Sequence, residues 1–150
     1  ARYCHCATAC CWGKLKGNYA EEDYPNPQNF YAFTKLLGEY ESRRAPKSVV
    51  IRCSFKPEPF EHDVACTDQF TSCDYASVIA KEIVIAIKSF NCLPQTLHIG
   101  TGRKTTFELA RRTRKVGKTT TDRILQERGL KLPKDTSLNC SRWERIKNEN

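Results

Sequence analysis

Tyr31 and Lys35 stand four positions apart, within a stretch whose apolar residues Phe30, Phe33, Leu36, Leu37 and Tyr40 repeat at three and four. On a helix that spacing brings a phenol and an ammonium to one face. An ammonium beside a phenol favours the phenolate. Such a tyrosine can exchange a proton with a carbinol or carbonyl oxygen near neutral pH. The lysine can also hydrogen-bond a ribose, and a nearby Ser or Thr hydroxyl would orient the same oxygen. A bare YxxxK spacing is a weak motif, and its weight comes from its surroundings.

Other groups that could do chemistry are set aside on their spacing. Nine cysteines, at 4, 6, 10, 11, 53, 66, 73, 92 and 140, are odd in number and irregularly placed. Reduced thiols and a cytoplasmic setting follow as the expectation, not a disulfide framework. The Cys4-His5-Cys6 and Cys10-Cys11 cluster holds no CxxC pair, so no metal site is assigned. Gly117-Lys118-Thr119 lacks the glycine five positions earlier that a phosphate loop needs, because position 112 is arginine. Gly100-Thr101-Gly102 is too short for a dinucleotide fingerprint and reads as a turn.

Strands alternating with helices must position the pair, which indicates α/β architecture. Residues 2–8 read as a short strand. Asn18 to Asn29 is loop-like around Pro25 and Pro27. The Tyr31 helix begins near Pro27 or Asn29 and runs to about Arg44. Residues 48–55, SVVIRCSF, suit a buried strand of a parallel sheet. A long loop follows to about Ser72. Asp74 is the expected cap of a helix over 75–90, whose face includes Val78, Ile79, Ile83, Ile87 and Phe90. Thr96 to Gly100 forms another strand. Thr105 or Thr106 caps a helix reaching about Lys115, and short helices are expected at 121–128 and 141–147.

The stretch Asn18-Tyr19, Glu21-Glu22-Asp23, Pro25-Asn26-Pro27 and Tyr31 to Glu39 resembles the active-site segment of the extended short-chain dehydrogenase/reductases. The resemblance continues through Val50 to Phe55, Phe70 to Tyr75 and His98 to Gly102. It ends with Leu132 to Leu138, which is similar to the C-terminal segment of dTDP-4-dehydrorhamnose reductase relatives. It implies the C-terminal part of a Rossmann-like doubly wound parallel sheet plus a small substrate-binding subdomain, with the N-terminal Gly-rich half absent. Residues 1–55 would hold the sheet part with the YxxxK helix. Residues 56–150 would be mainly the substrate-binding subdomain, with a helix and strand returning to the sheet.

The resemblance also implies roles. Tyr31 would protonate the C4 carbonyl oxygen of a dTDP-4-keto-6-deoxyhexose as hydride arrives from NAD or NADP in its reduced form. Lys35 would support Tyr31 and bind the cofactor ribose. Thr8 would hold the carbonyl oxygen, before the Trp12-Gly13 turn. Cys53 and Ser54 would lie near the nicotinamide. Arg52, Gln69 and Asp74 would contact the nucleotide-sugar. Departures from the family pattern are Ala7-Thr8-Ala9 for Ser-Thr-Asp, Cys73 for the arginine before Asp-Tyr, and no GxxGxxG turn to cradle a pyrophosphate. They keep a second expectation open, a non-catalytic regulatory or scaffold relative of the same fold. They also imply that these residues alone bind the cofactor poorly, as a fragment or processed product would.

The net charge of +8 comes wholly from residues 101–150, since acidic and basic side chains balance over residues 1–100. Such a segment attracts phosphate or is simply a solvated face. No aromatic-basic interleaving points to specific nucleic-acid binding. No apolar run reaches membrane-spanning length. Half of a doubly wound sheet leaves an open edge, so a homo-oligomer or a partner chain is expected to cover it.

Overall fold

A computed structural model describes residues 3–8 and 16–149 of the chain. Its centre is a three-stranded parallel sheet of order β1 (Tyr3–Thr8), β2 (Ser48–Cys53), β7 (Thr96–His98). The register pairs Tyr3 with Ser48 and Thr8 with Cys53 on one side of β2, and Val50 with Thr96 on the other. β2 is buried along its whole length, as its β-branched run requires. Among the described residues β1 pairs with β2 alone and is an edge strand.

Alternation along β2 decides what covers each face. Val49, Ile51 and Cys53 point into one cluster with Ile79 and Ala86 of α2 (Ala76–Lys88), Leu97, and Trp143 of α5 (Ser141–Glu149). Each large aliphatic buried there contributes about 1.5–3 kcal/mol. Arg52 points the other way, to Glu39 of α1 (Phe30–Arg43). Helices therefore lie on both faces, and the sheet is α/β and Rossmann-like.

A second cluster of Phe60, Ala65, Cys73, Tyr75, Leu109 and Ala110 lies outside the sheet. The stretch expected to be one long loop is partly paired. β3 (Phe55–Lys56) pairs in parallel with β6 (Asp74–Tyr75), and β4 (Val64–Cys66) with β9 (Gly117–Thr119). β5 (Phe70–Thr71) runs antiparallel to β8 (Lys104–Thr105). These ladders are two or three residues long, too short for periodicity to reveal.

Capping explains the helix starts. Asn29 accepts the Ala32 amide at the start of α1. Thr105 and Glu108 form a full capping box on α3 (Thr106–Ala110), which ends earlier than the sequence predicted. Thr120 caps α4 (Thr121–Arg128), which Gly129 ends at φ 65. Asp74 does not cap α2. The cap position is Tyr75, and the Asp74 carboxylate accepts the Tyr75 amide from within β6.

Candidate functional site

The chain leaves the carboxyl end of β1, crosses to α1 and returns through β2. α1 therefore runs against the strands. Arg43 reaches Thr96 at the start of β7 (2.8 Å), and Glu39 reaches Arg52 near the end of β2. From Glu39 back to Tyr31 the helix rises about 12 Å, which carries Tyr31 past the carboxyl ends of the strands. That is where ligands bind in open α/β sheets.

Tyr31 is 55% exposed, and the Lys35 Nζ lies 5.5 Å from its ring centroid. Thr34 Oγ1 donates back to the Tyr31 carbonyl and leaves this face to the phenol and ammonium. The two groups are thus brought together in the open, on one side of the helix. The backbone of Thr8 closes β1 beside Cys53. The Trp12-Gly13 turn, Ala9, Cys10 and Cys11 lie outside the described residues. Among the described residues no cluster of His, Cys, Asp or Glu could hold a metal ion.

The remaining sequence-predicted residues lie in tighter places. The Cys53 side chain is buried in the apolar cluster on the α2 side of the sheet, the face away from α1. Ser54 hydrogen-bonds the Cys73 thiol, which burial pushes above its usual range against that bond. Arg52 is buried and forks onto Glu39, with Nε donating to Oε2 (3.0 Å) and Nη2 to Oε1 (2.6 Å). Gln69 ties chain to chain, donating to the Pro133 carbonyl (3.3 Å) and accepting from Thr106 Oγ1 (2.9 Å). Asp74, only 1% exposed, accepts from Thr101 Oγ1 (2.7 Å) and from Arg112 Nη1 at both oxygens, with Lys104 Nζ at 3.8 Å. Burial alone would push its pKa up, but the Thr101, Tyr75 amide and Arg112 hydrogen bonds outweigh it and hold the carboxyl below the usual range.

Glu39 and His98 are residues of the site's foundation that the sequence reading missed. Glu39 is 2% exposed and also takes Arg43 Nη2 at 2.6 Å. Burial would raise its carboxyl, and the two arginines bring it below the ordinary range. His98 is fully buried, and its Nδ1 donates to the Tyr19 carbonyl (3.1 Å). Its Nε2 then carries no proton and accepts from Arg52 Nη1 at 3.4 Å. Burial first, and the Arg52 charge second, push its pKa down to about 4. The signal available in sequence was the histidine inside a three-residue strand and the glutamate at i+3 from Leu36, both easily taken for surface residues.

The acidic loop before α1 is clasped rather than free. Glu21 accepts the His98 amide (3.1 Å), its carbonyl accepts Arg52 Nη1 (3.1 Å), and Glu22 pairs with Arg142. Asp23 takes Lys16 Nζ on both oxygens and the Ala20 amide. Tyr19 exchanges backbone hydrogen bonds with Ser137 (3.0 Å) and Asn139 (2.7 Å). The loop that delivers Tyr31 is therefore anchored to β7 and to the C-terminal segment.

No family model and no curated protein matches the chain. Solved structures do. A hypothetical dTDP-4-dehydrorhamnose reductase from Sulfolobus tokodaii superposes with a TM-score of 0.75 at 25% identity, over 97% of this chain and 58% of that one. A dTDP-4-dehydrorhamnose reductase from Clostridium acetobutylicum gives 0.73 at 24% identity, over 94% and 57%. One from Bacillus anthracis, solved in complex with NADP, gives 0.75 at 18% identity, over 99% and 64%. The chain spans somewhat over half the length of these proteins. Its resemblance to the extended short-chain dehydrogenase/reductases thus holds in three dimensions, and its fold is that of nucleotide-sugar oxidoreductases.

Proposed function

We propose that this chain carries the proton-transfer pair of an NAD(P)H-dependent reductase acting on the 4-keto group of a dTDP-6-deoxyhexose. The observation that carries the reading is the exposed Tyr31 with the half-buried Lys35 beside it on one face of α1, towards the carboxyl ends of β1 and β2. The Tyr31 hydroxyl donates a proton to the carbonyl oxygen as charge develops there, and the Lys35 ammonium steadies the phenolate left behind. Thr8, at the end of β1, orients the same oxygen. Arg52, Gln69 and Asp74 contribute from the nucleotide-sugar side by fixing the backbone around it.

The nicotinamide-ribose end of the cofactor fits this face, where Lys35 would hold the ribose hydroxyls beside Tyr31, with Cys53 and Ser54 at the adjoining strand end. NAD(P)H would supply the hydride. The pyrophosphate end finds no Gly-rich turn in these residues. The isolated 150-residue chain therefore binds the cofactor weakly and turns over slowly if at all.

The test is absorbance at 340 nm with NADH or NADPH and a dTDP-4-keto sugar. The chain is measured alone and then fused behind the Gly-rich half of a structurally similar reductase. The fused protein reduces the sugar, and Tyr31→Phe in it lowers kcat by roughly a hundredfold or more. An active fused protein whose Tyr31→Phe variant keeps full kcat overturns the reading. A second reading, a non-catalytic regulatory subunit, is favoured by Cys73, which is buried against Ser54 where the family pattern has arginine. Inactivity of the well-folded fusion, together with a stoichiometric enzyme partner in native lysate, supports it.

A further inference from the structure

Most of the basic side chains in the C-terminal third are matched by acids. Arg103 pairs with Asp135, Arg112 with Asp74, Arg114 with Asp63, Arg123 with Glu127 and Lys147 with Glu82. Arg111 and Lys118 are among those that are not. Among the described residues neither side chain has an ion pair or a hydrogen bond. Both face the same aromatic ring, with the Arg111 guanidinium 5.7 Å and the Lys118 Nζ 5.4 Å from the centroid of Phe107. They line one open groove of about 500 Å³ between α3 and β9, with Thr67 and Arg112 on its walls.

The placement follows from the fold. Lys118 is the middle residue of β9, opposite Ala65, and Thr119 beside it is buried, so Lys118 projects from the other face of the ladder. Arg111 directly follows α3. The one carboxylate in the groove, Glu108, is committed elsewhere. Its Oε2 accepts the Thr105 amide (2.6 Å) and the Thr105 hydroxyl (2.9 Å), and those bonds hold it below the usual carboxylate range. Arg112 is balanced by the buried Asp74. With Arg112 balanced by Asp74, Arg111 and Lys118 outnumber the Glu108 carboxylate and leave the groove net positive, both cations lying against one ring.

We propose that this groove binds a phosphoryl dianion, held between Arg111 and Lys118, with Arg112 as a further donor. A guanidinium and an ammonium lining one groove against one ring match the charge and the multiple acceptor oxygens of a phosphate monoester or diphosphate. The groove opens to solvent, which leaves room for the organic part of such a ligand. It shares no residue with the Tyr31 and Lys35 face, so the site stands apart from the reductase reading.

Isothermal titration of the full chain with inorganic pyrophosphate, and separately with a nucleoside diphosphate, tests the site. Both bind at one site per chain, and binding weakens as salt is raised. Tighter binding of the nucleotide assigns the groove to nucleotides, and equal binding assigns it to the phosphoryl group itself. The double variant Arg111→Gln, Lys118→Gln loses affinity by about tenfold or more, since each charged hydrogen bond is worth about that much. Arg114→Gln, outside the groove, and Lys35→Gln leave it unchanged. If the double variant does not fold, the exposed Lys118→Gln alone carries the comparison. No binding of either ligand, or an equal loss in Arg114→Gln, overturns the proposal, the second result meaning a diffuse basic surface only.

Discussion

Glu39 and Arg52 meet inside the protein as a two-pronged pair, 2.6 and 3.0 Å long, with both side chains about 3% exposed. The pair crosses from α1 to β2 and sets the height of the helix on the sheet, and with it the reach of Tyr31. Removing one partner of a buried pair strands the other charge. Glu39→Gln is expected to destabilise the chain by about 3–5 kcal/mol, read as a shift in urea midpoint. A midpoint within error of the parent would show that the pair does not hold the helix.

His98 makes stability depend on pH over a window set by its own shift. Its folded pKa is about 4, against 6.5 for the ordinary side chain. The unfolded chain therefore binds the proton first as pH falls. The stabilisation is complete above pH 6.5, drains away between 6.5 and 4, and is gone below about 4. Its size is about 3 kcal/mol. Denaturant midpoints measured every half unit should fall over this range, and His98→Gln should flatten the curve there. Loss below that range belongs to carboxylates such as Asp74 and Glu39, whose folded values lie low.

Gly17 sits at φ 62, and a methyl group there would overlap the Asp135 carboxylate. Asp135 in turn takes Arg103, whose guanidinium stacks 3.6 Å from the centre of the Phe70 ring. Gly17→Ala carries both the left-handed backbone strain and the displaced carboxylate. A loss of about 2–3 kcal/mol is expected, measured by thermal melting. Asp135→Ala in the Gly17→Ala background should recover the part due to overlap, leaving the backbone part.

Trp143 is fully buried among Ile51, Ile79 and Leu97, and its indole nitrogen donates to Glu82 Oε2 at 2.7 Å. Trp143→Ala should cost about 3–5 kcal/mol. Trp143→Phe keeps most of the volume and should cost less, because Glu82 retains Lys147. Equal losses in the two variants would mean that the hydrogen bond, rather than the packing, supports α5.

Much of this arrangement was legible in the residues. The β-branched run at 48–53 became the fully buried β2, and the segment predicted at 121–128 is helical at those limits. Of the two threonines that could cap the next helix, Thr105 and Thr106, the cap is Thr105. The face of α1 was not legible. Its apolar residues Phe30, Phe33, Leu37 and Tyr40 are exposed, and Ala32, Leu36, Glu39 and Ser42 face the sheet. Periodicity selects the more hydrophobic stripe, and here a charged partner on β2 selected the other one. The pairing of Arg52 with Glu39 and the clasp around Glu21 depend on residues far apart in the chain, which no local pattern encodes.

The backbone bonds joining Tyr19 to Ser137 and Asn139 tie together segments more than a hundred residues apart in the sequence. A ribosome delivers Tyr19 long before it delivers Leu138. During synthesis, then, the segment leading into the Tyr31 helix gains this second mooring, beyond the one to β7, only after residues 137–139 have emerged.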